Sequence, residues 1–102
     1  MDFIKLYDWI ADTDLDLEQR VIFALINQFS EESKENKGEG GFGFWGGYKT
    51  MSARTGIPKL KCRRITEDLI EKGIVIKTNG TMFRKTRIFL RSNPAFVKDY
   101  RF

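Results

Sequence analysis

Residues 47–76 read Gly47-Tyr48-Lys49-Thr50-Met51-Ser52-Ala53-Arg54-Thr55-Gly56-Ile57-Pro58-Lys59-Leu60-Lys61-Cys62-Arg63-Arg64-Ile65-Thr66-Glu67-Asp68-Leu69-Ile70-Glu71-Lys72-Gly73-Ile74-Val75-Ile76. Gly56 and Pro58 cut this stretch in two. A short helix over 48–55 ends at Gly56. Proline is tolerated in the first turn of a helix, so Pro58 opens a second one. That helix runs to Lys72 and stops at Gly73, a frequent C-cap choice. Cys62, Ile65, Leu69 and the aliphatic edge of Thr66 recur at helical spacing and are expected to face inward. Lys59, Lys61, Arg63, Arg64 and Glu67 are left for the outer face, together with the large apolar Leu60.

Downstream, Ile74-Val75-Ile76-Lys77-Thr78 is β-branched and reads as a strand. Asn79-Gly80 is the strongest two-residue hairpin signal and predicts the turn. A return strand is expected over 81–90, ended by Ser92-Asn93-Pro94. Residues 95–102 form a tail with Phe96, Tyr100 and Phe102, either docked on the core or used by a second protomer.

Upstream, residues 38–47 hold six of the nine glycines, interleaved with Phe42, Phe44 and Trp45. Gly41-Phe42-Gly43-Phe44-Trp45-Gly46 matches a dinucleotide-binding spacing. It follows no strand and opens no βαβ unit, so that reading is rejected. Two readings remain for this loop. It ends in a short strand over 42–45 whose aromatics cover the core, or it offers an aromatic surface to a partner. Residues 17–32 form the strongest amino-terminal helix, with Asp16 as N-cap and Gln19 completing a capping box. Val21, Ala24, Leu25, Gln28 and Phe29 share a face that Ile22 and Ile26 widen, which marks a central helix. A short amphipathic helix is expected over 2–11, followed by an acidic turn.

The 102 residues are expected to form one domain. Its parts are an acidic helical scaffold with the glycine loop (1–46), a two-helix unit (47–73), a hairpin (74–91) and the tail (92–102). The absence of His excludes His-dependent triads and His-liganded metals, and a single Cys excludes an internal disulfide. The carboxylates Asp8, Asp12, Asp14, Asp16 and Glu18 sit in a turn and at a helix start, where acids serve as caps. No enzyme and no cofactor is expected. No apolar run approaches the ~20 residues of a membrane span and no signal peptide opens the chain, so a cytoplasmic location without membrane contact is expected.

The net charge of +4 conceals a split. Residues 1–46 carry ten acids and four bases, a net of −6, whereas residues 47–102 carry fourteen bases and four acids, a net of +10. Such asymmetry points to a nucleic acid or another acidic partner. The alternative is that the halves fold together and neutralise each other.

The run Thr55-Gly56-Ile57, Arg64, Leu69 and Glu71-Lys72-Gly73-Ile74-Val75 closely resembles the winged helix-turn-helix of bacterial, phage and plasmid DNA-binding proteins, with no gap across residues 47–76. Residues 3–7 and 17–26 are similar to the opening of replication-initiator amino-terminal domains. Two positions depart from the pattern: Pro58 replaces a capping Ser or Thr, and Lys61-Cys62 replaces Thr-Val. The resemblance implies a helix-dominated α+β fold, a winged helix-turn-helix with an extra amino-terminal helix and a two- to three-stranded wing sheet. It implies double-stranded DNA binding in a regulatory or accessory role in transcription, replication or transfer.

On that reading Arg63 is the first choice for a base edge, since bidentate Arg to guanine is the commonest specific contact. Lys59 and Lys61 read guanine or neutralise phosphate. Leu60 meets a thymine methyl or caps the core. Arg64 touches phosphate, or pairs with Glu67, Asp68 or Glu71. In the wing, Lys77, Asn79, Arg84, Lys85 and Arg87 would follow the backbone or enter the minor groove. Lys49, Thr50 and Arg54 would position the same backbone. A homodimer is a further expectation. The second reading is a protein-interaction module, such as a phage-encoded inhibitor of a host protein, acting through the glycine loop, Leu60 or the tail.

Overall fold

The computed structural model describes residues 4–35, 43–82 and 84–101; for 32–35, 81, 82, 85, 100 and 101 it describes the backbone alone. It is a helix-dominated α+β fold with one small antiparallel hairpin. In chain order the elements are α1 (Asp8–Ala11), α2 (Leu17–Glu35), α3 (Gly47–Thr55), α4 (Lys59–Glu71), β1 (Val75–Met82), β2 (Lys85–Ser92) and α5 (Pro94–Arg101).

Helix α2 is the axis of the core. Its start is a reciprocal cap: the Gln19 N–H donates to Asp16 Oδ1 (2.9 Å) and the Asp16 N–H donates to Gln19 Oε1 (3.1 Å). Ile22, Phe23, Ala24, Leu25 and Ile26 are all buried. With Asn27 the run is six consecutive buried residues, which leaves that stretch no solvent face, as befits a helix enclosed by neighbours. The buried arc centres on Ile22, Phe23 and Ile26 rather than on Val21, Gln28 and Phe29, which are only half-buried.

The turn between α3 and α4 is locked by short polar links. Thr55 Oγ1 donates to the Met51 carbonyl (2.8 Å) and accepts from the Ile57 N–H (3.2 Å). The Cys62 thiol donates to the Ile57 carbonyl (3.3 Å). Met51, Ile57, Cys62, Ile65, Thr66 and Leu69 are buried, so the inward face expected of α4 is the observed one. Helix α4 ends at Gly73 (φ 75°), where the Gly73 N–H bonds to the Ile70 carbonyl and the Ile74 N–H to the Leu69 carbonyl. That double closure needs a left-handed residue, which glycine supplies without a Cβ penalty.

Five expectations are corrected. The helix over 2–11 contracts to α1, because Tyr7 is extended (ψ 151°) and the Lys5 N–H donates to the Gln28 side chain instead of to a helical carbonyl; residues 1–3 lie outside the described residues. The helix over 17–32 continues to Glu35. The tail is a helix, α5: Asn93 Oδ1 accepts from the Ala95 N–H and Pro94 occupies the first turn. Phe96 and Val97 dock it on the core, with Phe96 edge-on to Phe23 at 5.3 Å.

The fourth correction concerns the hairpin. Asn79-Gly80 is not its turn. Asn79 pairs with Ile88 and Gly80 with Arg87, inside the ladder, and the chain reverses between Met82 and Lys85, with Arg84 left-handed (φ 63°). A turn at 79–80 would put Ile74 opposite Lys85 and strand Leu90 to Asn93 beyond the sheet. Instead the Asn93 N–H reaches the Ile74 carbonyl (2.9 Å) and the Ser92 N–H reaches Ser30 Oγ (3.0 Å). Val75, Phe89 and Leu90 are buried in this register. Full burial of such side chains stabilises by ~1.5–3 kcal/mol each, more than one turn preference. The short strand expected over 42–45 is reduced to one bridge, Phe44 to Leu90, bonded in both directions at 2.7 and 2.8 Å. Gly43 (φ 126°) permits it, because a Cβ there would run into the Leu90 carbonyl. Phe42 lies outside the described residues.

Candidate nucleic-acid interface

The outer face of α4 is built by subtraction. With Cys62, Ile65, Thr66 and Leu69 committed to the core, Lys59, Leu60, Arg63, Arg64 and Glu67 stand exposed. Leu60 is 79% exposed, so it does not cap the core. The first turn of α4 contains no acid, and its N-cap Pro58 makes no side-chain bond to the free N–H groups. Those N–H groups and the helix dipole favour an anion there.

The bases differ in how they are held. Arg63 Nε donates to Glu67 Oε1 at 3.0 Å, an exposed pair one helical turn apart. That pairing holds the guanidinium above its ordinary range, chiefly through the hydrogen bond to Glu67. Lys61 reaches back to Glu18 of α2 in an ion pair. Among the described residues, no carboxylate lies within ion-pair distance of Lys59 or Arg64.

A second locus forms where α3, the Phe44 bridge and the hairpin meet. The Arg87 guanidinium lies over the Trp45 ring, 5.2 Å from its centroid. The pair walls a cleft of about 270 Å³ shared by Phe44, Tyr48, Lys77 and Ile88. A second cleft of about 320 Å³, also lined by Phe44, Trp45 and Arg87, adds Thr50 and Arg54. Arg54 itself lies over Phe29 at 5.1 Å. Thus Thr50, Arg54, Lys77 and Arg87, far apart in sequence, are brought together around one indole. Tyr48 joins this locus to α4. It lines the cleft, and its phenol is held above its ordinary pKa first by burial and then by the Glu67 charge, with Arg63 opposing.

The remaining sequence candidates are separate. Lys49 on α3, Asn79 on β1 and Arg84 at the hairpin tip are each exposed. Lys85 pairs with Met82 through the backbone, and its side chain lies outside the described residues. Trp45 belongs to the aromatic loop that the sequence offers to a partner, whereas Tyr48 is no candidate at the level of sequence. The signal for both is the aromatic pair flanking Gly46-Gly47, which lies where the chain enters α3. No helix among the described residues is long and apolar enough to cross a membrane. No family model, curated protein or solved structure matches the chain.

Proposed function

We propose that the chain is a small winged helix-turn-helix protein that binds double-stranded DNA in a regulatory or accessory role, of the kind found in plasmids and phages. In this reading α4 is the recognition helix and the hairpin is the wing. The observation that carries it is the outer face of α4, where Lys59, Arg63 and Arg64 stand exposed at the amino-terminal half of a helix whose other face is fully committed to the core. A helix docked in the major groove needs donors there. Arg64 suits phosphate. Arg63 must exchange Glu67 for a guanine edge, so its contribution depends on a matching base. No catalytic role is assigned.

The test is fluorescence anisotropy with a labelled random-sequence duplex at about 50 and 200 mM salt. Phosphate contacts release counterions, so affinity is expected to fall by more than tenfold between the two. Arg64→Ala is expected to weaken the random duplex several-fold, while Arg63→Ala leaves it within about twofold and weakens only a selected high-affinity site. Absence of binding at 50 mM overturns the reading. It would favour a protein-interaction module instead, for which Leu60 at 79% exposure is the specific observation.

A further inference from the structure

The cleft beside Trp45 is lined with no acid at all: Phe44, Trp45, Tyr48, Lys77, Arg87 and Ile88 carry two formal positive charges and three aromatic rings. Trp45 remains 41% exposed although it neighbours the core. The Arg87 side chain is half-buried, and among the described residues its buried Nε meets no acceptor. Two cations beside a partly exposed indole, with no acid in the lining, suit a flat, anionic ligand. The volume, about 270 Å³, falls below the ~300–1,000 Å³ of clefts that engulf drug-sized molecules, and so suits one ring system with its phosphate. An acidic peptide would use the cations and leave the aromatic walls without a counterpart.

We propose that the Trp45–Arg87 cleft binds an unpaired nucleotide, its base stacked on the aromatic wall of Trp45 and Tyr48 and its phosphate held by Lys77 and Arg87. Base–aromatic stacking with flanking cations is how sequence-tolerant single-strand binding arises. The neighbouring cleft, with Thr50 and Arg54, shares the same Trp45–Arg87 wall and extends the track for a second nucleotide. The source of the nucleotide is either a single strand or a free mononucleotide, and both present the same ring and phosphate. The assignment uses no residue of α4; Lys77 and Arg87 lie on the hairpin read above as the wing, so Trp45 is the residue that separates the two assignments.

The test measures anisotropy of labelled oligo(dT) of twelve nucleotides, with dTMP as competitor, on the intact chain. Trp45→Leu and Lys77→Ala are each expected to weaken oligo(dT) about tenfold, while Trp45→Phe, which keeps a ring, stays within about threefold. Random-duplex affinity should stay within about twofold in Trp45→Leu and fall in Arg64→Ala, so failure of either assignment is visible separately. Competition by micromolar dTMP identifies a free nucleotide as the ligand; competition absent at millimolar dTMP identifies the strand. The proposal is overturned if neither ligand binds, if Trp45→Leu leaves oligo(dT) unchanged while its thermal unfolding matches wild type, or if Trp45→Phe loses as much as Trp45→Leu.

Discussion

Two weak acids, Cys62 and Tyr48, sit where ionisation is resisted. Burial pushes the Cys62 thiol above its ordinary value of 9.0; the Thr55 hydroxyl works in the opposite direction, and the Glu18 charge adds to the rise. Burial and then Glu67 push the Tyr48 phenol above 10.0. Both groups therefore keep their protons longer in the folded chain than in the unfolded one. Where the unfolded state binds fewer protons, stability falls with pH. The protection is complete below the ordinary values and drains away as pH rises through about 9 and then 10. The urea midpoint is expected to hold near pH 8 and to drop steadily towards pH 10.5. In Cys62→Ala the first part of that drop should flatten. A midpoint that stays level through the window, or a Cys62→Ala curve parallel to wild type, contradicts this account.

At the scale of elements, local sequence chemistry decides where it has no competitor. The Asp16–Gln19 cap, the stop at Gly73 and the Pro58 start were all legible, because each is satisfied within one helical turn. So was the inward face of α4, whose apolar spacing admits a single solution. The hairpin turn was not, because Asn79-Gly80 competes with anchors far away in sequence: Ser30, Phe44 and Ile74 all bind the end of β2. Helix α5 was legible in principle through Asn93-Pro94, a cap residue followed by a first-turn proline. The Trp45–Arg87 cleft was not, since its walls come from three segments that only the fold assembles. The register makes a sharp prediction. Asn79→Thr, inside a ladder opposite Ile88, should leave stability unchanged or raise it slightly, because Thr suits a strand better than Asn. Arg84→Gly should stabilise by up to about 1 kcal/mol by removing a left-handed side-chain penalty. Both are read from urea denaturation. A turn at 79–80 would reverse the first result, making Asn79→Thr clearly destabilising.

At the scale of the molecule, the acidic and basic halves meet at a seam between α2 and α4. Glu18 of α2 holds Lys61 of α4, and Gln19 of the same turn donates to Asp68 at 3.2 Å. The seam withdraws Lys61 from the outer face and leaves Lys59 and Arg64 there without an acidic partner among the described residues. The seam also orients α4, since these two links tie its inner edge to the amino-terminal helix. On the duplex-binding reading proposed above, the charge split has a structural share and an interaction share, and the two separate in salt dependence. Each phosphate neutralised contributes about 0.9 to the slope of log affinity against log salt. If Lys61 is committed to Glu18, Lys61→Ala leaves that slope unchanged on a random duplex. Glu18→Gln frees Lys61 to meet phosphate, so the slope should steepen by about 0.9 and affinity at low salt should rise. Lys61→Ala in the Glu18→Gln background should then return the slope to its wild-type value. The opposite pattern, a shallower slope in Lys61→Ala alone and none of the gain in Glu18→Gln, would place Lys61 on the DNA and reduce the seam to Gln19 and Asp68.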